Sequence, residues 1–159
     1  MFETSRVRAQ QPDTSDISVI VLGMGNIGSG AYDAMTDKYG DRVLGVDDND
    51  RKLERCKQEG RRVAQADASD PDFWREVNLD EIKLIMLALT NHQENMLVGH
   101  LLDDLGYKGQ LAAVVRFAED AEELEEQGIS TYNLFVEAGA GFADHAAVQL
   151  QKAKSPGQS

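Results

Sequence analysis

The sequence of 159 residues contains a single cysteine, Cys56, so no disulfide can form within the chain. A lone thiol is typical of proteins in a reducing cytoplasm. The longest uninterrupted apolar run, residues 84–89, is far shorter than a membrane-spanning helix requires. The polar N-terminal segment also lacks the apolar core of a signal peptide. We therefore expect a cytoplasmic protein.

Basic residues are scarce: 16 Lys and Arg stand against 28 Asp and Glu, which gives a net charge of −12. This charge argues against nucleic acid and against anionic membrane surfaces as partners, because both attract cationic proteins. It does not exclude a phosphate ligand, since backbone N–H groups at a glycine turn bind phosphate without Lys or Arg.

Catalytic and metal-ligating patterns are also missing. None of the four tyrosines is followed by a lysine four positions later, so the Tyr-x-x-x-Lys pair of short-chain reductases is absent. The three histidines lack metal-ligand spacing, and we predict neither catalytic residues nor a metal site. His92 follows the fourth predicted strand, at the edge of the sheet where ligands bind. The acidic run at residues 119–126 is interpreted as a solvated helix face.

The most informative stretch, residues 17–30, contains an apolar run that stops at the glycine turn Gly23-Met24-Gly25-Asn26-Ile27-Gly28. A helical pattern begins at once. In a dinucleotide-binding βαβ unit, Gly23 allows the tight turn, Gly25 lets a pyrophosphate approach the backbone, and Gly28 lets the helix pack closely. The free N–H groups near Asn26 and Ile27 point at the phosphates, whose negative charge the helix dipole favours.

A second apolar run, residues 43–46, ends at the acidic pair Asp47-Asp48, where such a unit places a ribose-binding acid. The carboxylate of Asp47 would accept a hydrogen bond from a ribose 2′-OH and would repel a 2′-phosphate. The order of strand, glycine turn, helix, strand and acid therefore predicts NAD or an adenosine nucleotide rather than NADP. Arg51 and Lys52 follow closely and could soften that preference.

Strand and helix patterns alternate from residue 17 onward with short connections. Strands are predicted near residues 17–22, 43–47, 62–65, 83–89, 110–115 and 129–132, and helices near 26–38, 49–59, 92–105, 118–127 and 135–151, with a short helix beginning at Pro71. This alternation predicts an α/β, Rossmann-like, doubly wound parallel sheet of about six strands with helices on both faces. The strand at 83–89, apolar almost throughout, is expected to be buried on both faces. Residues 1–16 are predicted as a disordered arm or linker, 17–151 as the nucleotide-binding domain, and 152–159 as a tail.

Further motifs accompany the glycine turn and carry a resemblance to a known family. They are Asp47 at the end of strand two, Asp67-Ala68 after strand three, Ala88-Leu89-Thr90-Asn91 followed by Asn95, and Arg116 ending strand five. Over about residues 17–150 the chain resembles the KTN/RCK N-terminal (TrkA-N) domain, most closely the cytoplasmic domain of Kef-type glutathione-gated potassium efflux systems. The resemblance implies a domain that binds NAD(H), AMP, ADP or ATP, dimerises, often through its last helix, and gates a membrane cation channel or antiporter.

The resemblance also implies roles for individual residues. The glycine turn, including Met24, would hold the phosphates, and Asp47, beside Asp48, would hold the ribose. Asp67 and Ala68 match positions that flank the adenine. Thr90 lies near the second ribose or the nicotinamide side, where the family often has an acidic residue. The remaining predicted cofactor-binding residues are Asn95 and Arg116, and Arg116 matches an arginine that lines the cleft.

Three functions remain open from the sequence. The first is a nucleotide-sensing regulatory domain, homodimeric and acting on a membrane potassium efflux or cation/proton antiport system at the cytoplasmic face of the inner membrane. The second is a small NAD-dependent oxidoreductase. The third is a fold that serves only for dimerisation.

Overall fold

A computed structural model describes residues 13–158 of the chain. The described part contains six strands and six α-helices that alternate, with 3₁₀ turns at Gly40–Arg42 and Leu79–Glu81. The strands are β1 (Val19–Leu22), β2 (Val43–Asp47), β3 (Val63–Gln65), β4 (Leu84–Leu87), β5 (Gln110–Val115) and β6 (Ser130–Asn133). The helices are α1 (Asn26–Tyr39), α2 (Asp50–Gln58), α3 (Pro71–Arg75), α4 (His92–Asp104), α5 (Ala118–Glu126) and α6 (Leu134–Gln158).

The six strands form one sheet in the order β3-β2-β1-β4-β5-β6, and every neighbouring pair is parallel. This confirms the predicted Rossmann-like α/β fold. The strand order reverses between β1 and β4, because the chain leaves the sheet after β3 and re-enters it on the other side of β1. At such a switch point the loops after two neighbouring strands diverge and leave a crevice at the carboxyl edge of the sheet.

Hydrophobic side chains on both faces of the central strand hold the layers together. In β1, Ile20 and Leu22 belong to one buried cluster, which includes Trp74 of α3 and side chains of α4 and α5. Val19 and Val21 belong to a second cluster on the opposite face, with Tyr32 of α1. Because successive strand residues alternate between faces, the fully apolar β1 is the strand expected to lie between two layers.

The sheet is covered less well on one face of its β4–β6 half. Ile85 and Leu87 of β4 are fully buried, whereas Leu84 and Met86 on the opposite face are only half-buried. The pattern continues in the neighbouring strands, where Ala112 and Val114 share this face through the strand register and are half-buried. The prediction that the fourth strand is buried on both faces is therefore wrong, because α4 and α5 pack on one face alone.

Part of the predicted N-terminal arm packs against the domain. Residues 1–12 lie outside the described residues, but Thr14 is 4% exposed and accepts the backbone N–H of Ile17 through its carbonyl oxygen at 3.1 Å. Asp16 receives two hydrogen bonds of 3.0 Å from the guanidinium of Arg62, which lower the pKa of its carboxyl group. Residues 13–16 therefore form part of the folded surface.

The last helix, α6, is longer than predicted and lies largely in solvent. It begins at Leu134 and continues to Gln158, past the predicted end at residue 151. Its side chains are exposed from Phe135 to Lys154. None of the helices in residues 13–158 is long and apolar enough to cross a membrane.

Candidate functional site

The glycine turn lies at the switch point, between the ends of β2 and β4. Gly23 has a φ of +92°, and a Cβ at this position would lie 2.6 Å from the carbonyl oxygen of Ala88. Its N–H donates to the carbonyl oxygen of Val46 at 2.8 Å. Both the backbone conformation and the space therefore require glycine here.

Gly28 allows the first turn of α1 to pack onto the glycine turn itself. A Cβ on Gly28 would overlap the carbonyl group of Gly23, which is backbone and cannot rotate away. Met24, predicted as a cofactor-binding residue, contributes only its backbone to this arrangement. Its side chain is 2% exposed and packs in the core against Gly45, where a Cβ would meet its sulfur.

In the described part of the chain, no anionic side chain accepts the free backbone N–H groups at the N-terminus of α1. Helices α2, α3 and α4 are capped by the side chains of Asn49, Asp70 and Asn91 respectively. Among the described residues, no side chain caps α1 at Gly25, and its first turn contains no acid. The free N–H groups and the positive end of the helix dipole are thus available to an external anion. At Gly25 an added Cβ would contact only the ammonium group of Lys52, at 3.9 Å.

A cavity of about 490 Å³ opens beside this helix end, over β4 and β5. This volume is in the range of small-molecule sites. The wall includes four of the predicted cofactor-binding residues of the glycine turn and three from the loops after β4 and β5 and the first turn of α4. They are Gly25, Asn26, Ile27, Gly28, Thr90, Asn95 and Arg116. The structure therefore brings these predicted residues together around one space.

Asp47 lies at the end of β2, as predicted, and its carboxylate also holds the backbone of the glycine turn. The residue is 7% exposed, and both carboxylate oxygens already accept backbone N–H groups: Oδ2 from Met24 at 2.7 Å and Oδ1 from Asn49 at 2.9 Å. Asp47 therefore ties the glycine turn to the end of β2. Because each carboxylate oxygen can accept a second hydrogen bond, this tie is compatible with a ribose contact.

The residues predicted to flank the adenine lie apart from the main cavity. Asp47, Asp48, Asp67 and Ala68 line a separate depression of about 30 Å³ beyond the ends of β2 and β3. Asp67 Oδ1 accepts both the N–H and the hydroxyl of Ser69, at 2.9 Å and 2.6 Å, so this carboxylate stabilises its own turn. Asp48 is exposed. Most of the predicted site residues thus fall into two groups: one group lines the main cavity, and the other lines this depression.

Three predicted residues beyond the glycine turn offer polar groups to the cavity. Asn95 is 2% exposed; its Nδ2 donates to the carbonyl oxygen of Leu89 at 3.4 Å, while its buried Oδ1 has no hydrogen-bond partner among the described residues. Arg116 is exposed and donates to the carbonyl oxygen of Thr90 at 3.2 Å. Its guanidinium thus bridges the loops that follow β4 and β5 while it keeps most of its donors free.

Eight cavity residues were not among the predicted site residues. Four of them, Ala88, Leu89, Val114 and Val115, belong to the ends of β4 and β5 or directly follow them, and the other four are His92, Phe117, Asp120 and Leu134. The position of His92 after β4 indicates the ligand edge of the sheet, as the sequence suggested. Asp120 is hidden in the acidic run that was interpreted as a solvated face, and nothing in that run distinguishes it. The His92 Nε2 lies 3.5 Å from Asp120 Oδ1 and 3.6 Å from Glu123 Oε2, although the sequence predicted no metal-ligand cluster.

Several solved structures have the same fold. The NAD(P)-binding domain of an exopolyphosphatase-related protein from Archaeoglobus fulgidus superposes with a TM-score of 0.73 at 23% identity, over 82% of this chain and 98% of that one. A Kef C-terminal domain from Shewanella denitrificans, in an AMP-bound form, has a TM-score of 0.70 at 16% identity, over 84% and 80%. A GsuK channel bound to NAD has a TM-score of 0.66 at 19% identity, over 84% of this chain but 25% of that one.

Sequence comparison identifies the family. No curated protein sequence matches the chain. The family model of the TrkA-N domain, in contrast, matches residues 19–133, from the first residue of β1 to the last residue of β6. Because this match includes the whole sheet and the glycine turn, the chain belongs to the TrkA-N domain family, as its motifs predicted.

Proposed function

We propose that this chain is a nucleotide-sensing regulatory domain that binds NAD(H) or an adenine nucleotide in the 490 Å³ cavity. The observation that carries the proposal is the uncapped N-terminus of α1, which opens onto this cavity at the switch point of the sheet. Helix N-termini of this kind bind phosphate through backbone N–H groups. Membership of the TrkA-N family and the nucleotide-bound structures of similar fold support the same ligand class.

Polar groups around the helix end suit a nucleotide. Lys52 places a cation beside Gly25, where a phosphate would approach, and Arg116 offers free guanidinium donors on the opposite wall. The unpartnered Oδ1 of Asn95 is an acceptor for a hydroxyl or amine of the ligand, and a buried acceptor gains free energy when such a donor arrives. These groups provide phosphate binding without a basic surface, in agreement with the net charge of −12.

The cavity is connected to the exposed helix α6 by two contacts. Leu134, the first residue of α6, lines the cavity, and so does Phe117, whose ring packs edge-on against Phe135 with the centroids 6.4 Å apart. A ligand in the cavity would therefore touch the base of α6. We infer that occupancy biases the direction of this helix, and that a membrane cation transporter at the cytoplasmic face of the membrane senses the bias. Coupling of this kind is typically about 1–3 kcal/mol.

Calorimetry with NAD, NADH, AMP, ADP and ATP tests the proposal on the full chain. We expect at least one of these ligands to bind with one site per chain, and turnover of NADH with carbonyl substrates to be absent. If none binds at millimolar concentration, the proposal is wrong. Steady hydride transfer would instead indicate the oxidoreductase.

The variant Asn26→Asp places a carboxylate at the first residue of α1, beside the proposed phosphate position. Two unit charges a few ångströms apart repel by about 1–4 kcal/mol, so we expect nucleotide affinity to fall about tenfold or more. Asn78→Asp is a matched control, because it makes the same change at an exposed position outside the cavity lining. Equal affinities of the two variants would argue against phosphate binding at α1.

We further propose that α6 mediates homodimerisation. Phe135 and Phe142 are 57% and 74% exposed, and their seven-residue spacing places them on the same side of the helix. The half-covered face of β4–β6, with Met86 and Val114, offers a second apolar surface in the same domain. Exposed apolar patches on a protein surface often mark interaction sites, and a second copy of this chain would cover both surfaces.

Light scattering after size exclusion tests the dimer. We expect a wild-type dimer and a monomeric Phe142→Glu variant, because a charge in the centre of an apolar interface is costly to bury. Gln151→Glu introduces the same charge on the opposite side of α6 and should remain dimeric. A monomeric wild type would contradict the proposal, and so would a dimer that Phe142→Glu leaves intact.

A further inference from the structure

Three potential metal ligands meet at one wall of the cavity. His92 is the first residue of α4, while Asp120 and Glu123 are three positions apart on α5 and therefore lie on the same side of that helix. His92 Nε2 is 3.5 Å from Asp120 Oδ1 and 3.6 Å from Glu123 Oε2, and one ligand atom from each residue lies within 4.8 Å of the others. Strands β4 and β5 are neighbours, so the two helices begin side by side and bring these residues together.

The distances between the imidazole nitrogen and the two carboxylate oxygens fit ligands of a shared cation better than hydrogen-bond partners. Both distances from Nε2 exceed the usual N–H···O range of about 2.7–3.2 Å. Nitrogen and oxygen ligands lie about 2.0–2.2 Å from Zn²⁺, which places neighbouring ligands of a tetrahedral site about 3.3–3.6 Å apart. The distances of 3.5 Å and 3.6 Å from Nε2 to the two carboxylate oxygens fall in this interval.

The imidazole of His92 supplies an independent observation. Its two ring nitrogens are shielded from solvent, and neither has a hydrogen-bond partner among the described residues. Buried polar atoms nearly always have a hydrogen-bond partner, whereas Nε2 faces two carboxylates at ion-pair distance without a hydrogen bond to either. A cation between the three groups would partner Nε2 and neutralise the two negative charges.

We propose that His92, Asp120 and Glu123 form a binding site for one divalent transition-metal cation of the Zn²⁺ type. One imidazole nitrogen and two carboxylate oxygens match the ligand preferences of this class. Because His92 and Asp120 also line the cavity, a coordination position without a protein ligand would face that space. The site needs no nucleotide to form, so it stands apart from the proposed nucleotide binding.

Metal titration of the full chain tests the site. After treatment with a chelator, the protein is titrated with Zn²⁺ by calorimetry and with Co²⁺ by visible absorption, which reports the ligand field. We expect one ion per chain. His92→Gln and Glu123→Gln should each lower the affinity at least about tenfold, because even residues that support metal ligands contribute that much. Co²⁺ absorption should change in the His92→Gln variant, since it loses its nitrogen ligand.

Two control variants keep the test specific. Glu122→Gln removes the neighbouring exposed acid on α5, and His145→Gln removes an exposed histidine on α6; both should bind Zn²⁺ as the wild type does. Thermal unfolding of each variant separates lost ligands from lost structure. The proposal is wrong if metal-free protein binds no Zn²⁺ at millimolar concentration, or if His92→Gln binds it unchanged. Calorimetry with nucleotides in the absence of metal then tests the proposed function separately.

Discussion

Replacing Gly28 by alanine should destroy the glycine turn and nucleotide binding together. The added methyl group would overlap the carbonyl group of Gly23, which is backbone and cannot rotate away as a side chain could. Overpacking against side chains usually costs about 1–3 kcal/mol, and a clash with fixed backbone belongs at or above the upper end of that range. We therefore expect the free energy of unfolding to fall by about 3 kcal/mol.

Gly30→Ala is the matched control for this prediction. Gly30 lies in the same helix, is exposed, and an added Cβ there would have no neighbour within 4 Å outside the local helix backbone. Alanine favours the helix interior over glycine by about 0.5–1 kcal/mol, so this variant should be slightly more stable and bind nucleotide normally. Urea unfolding and calorimetry measure both quantities. A Gly28→Ala variant as stable as Gly30→Ala would contradict the close packing of α1 on the glycine turn.

The sequence alone was sufficient to predict the fold, because the structural preferences of the individual segments agree with the architecture of the whole domain. The glycine turn suits a strand followed by a helix, and strands that alternate with helices through short connections form a parallel sheet. The motifs that predicted the TrkA-N family include Asn95 and Arg116, which line the main cavity, and Asp67 and Ala68, which line the separate depression.

What the sequence did not reveal depends on contacts between distant segments. Periodicity shows which residues share a face, but not what covers that face, so the half-buried Met86 was predicted to be buried. Similarly, Asp120 looks like any other acid of α5 until α4 brings His92 next to it. Residue type also says little about where a side chain points. Met24 belongs to the glycine turn, yet its side chain is buried in the core.

The contacts of Asp47 are also not evident from the sequence. We expect the replacement of this residue to destabilise the protein strongly. An acid at the end of β2 predicts a ribose contact, but it does not reveal that the carboxylate is buried and accepts the N–H groups of Met24 and Asn49. Asp47→Ala leaves both donors without an acceptor. A buried unsatisfied group costs about 1–3 kcal/mol, so we expect the variant to lose about 3 kcal/mol of stability in urea unfolding, with an unchanged slope.

Nucleotide affinity should fall with stability in Asp47→Ala, because the glycine turn loses its tie to β2. Asp48→Ala is the informative control: this acid is adjacent but exposed, so its loss should leave the unfolding midpoint unchanged. Asp47→Asn keeps one carbonyl acceptor and should have intermediate stability. If Asp47→Ala unfolds like the wild type, Asp47 does not brace the turn. If Asp48→Ala alone lowers affinity, the exposed carboxylate rather than the buried one binds the ribose.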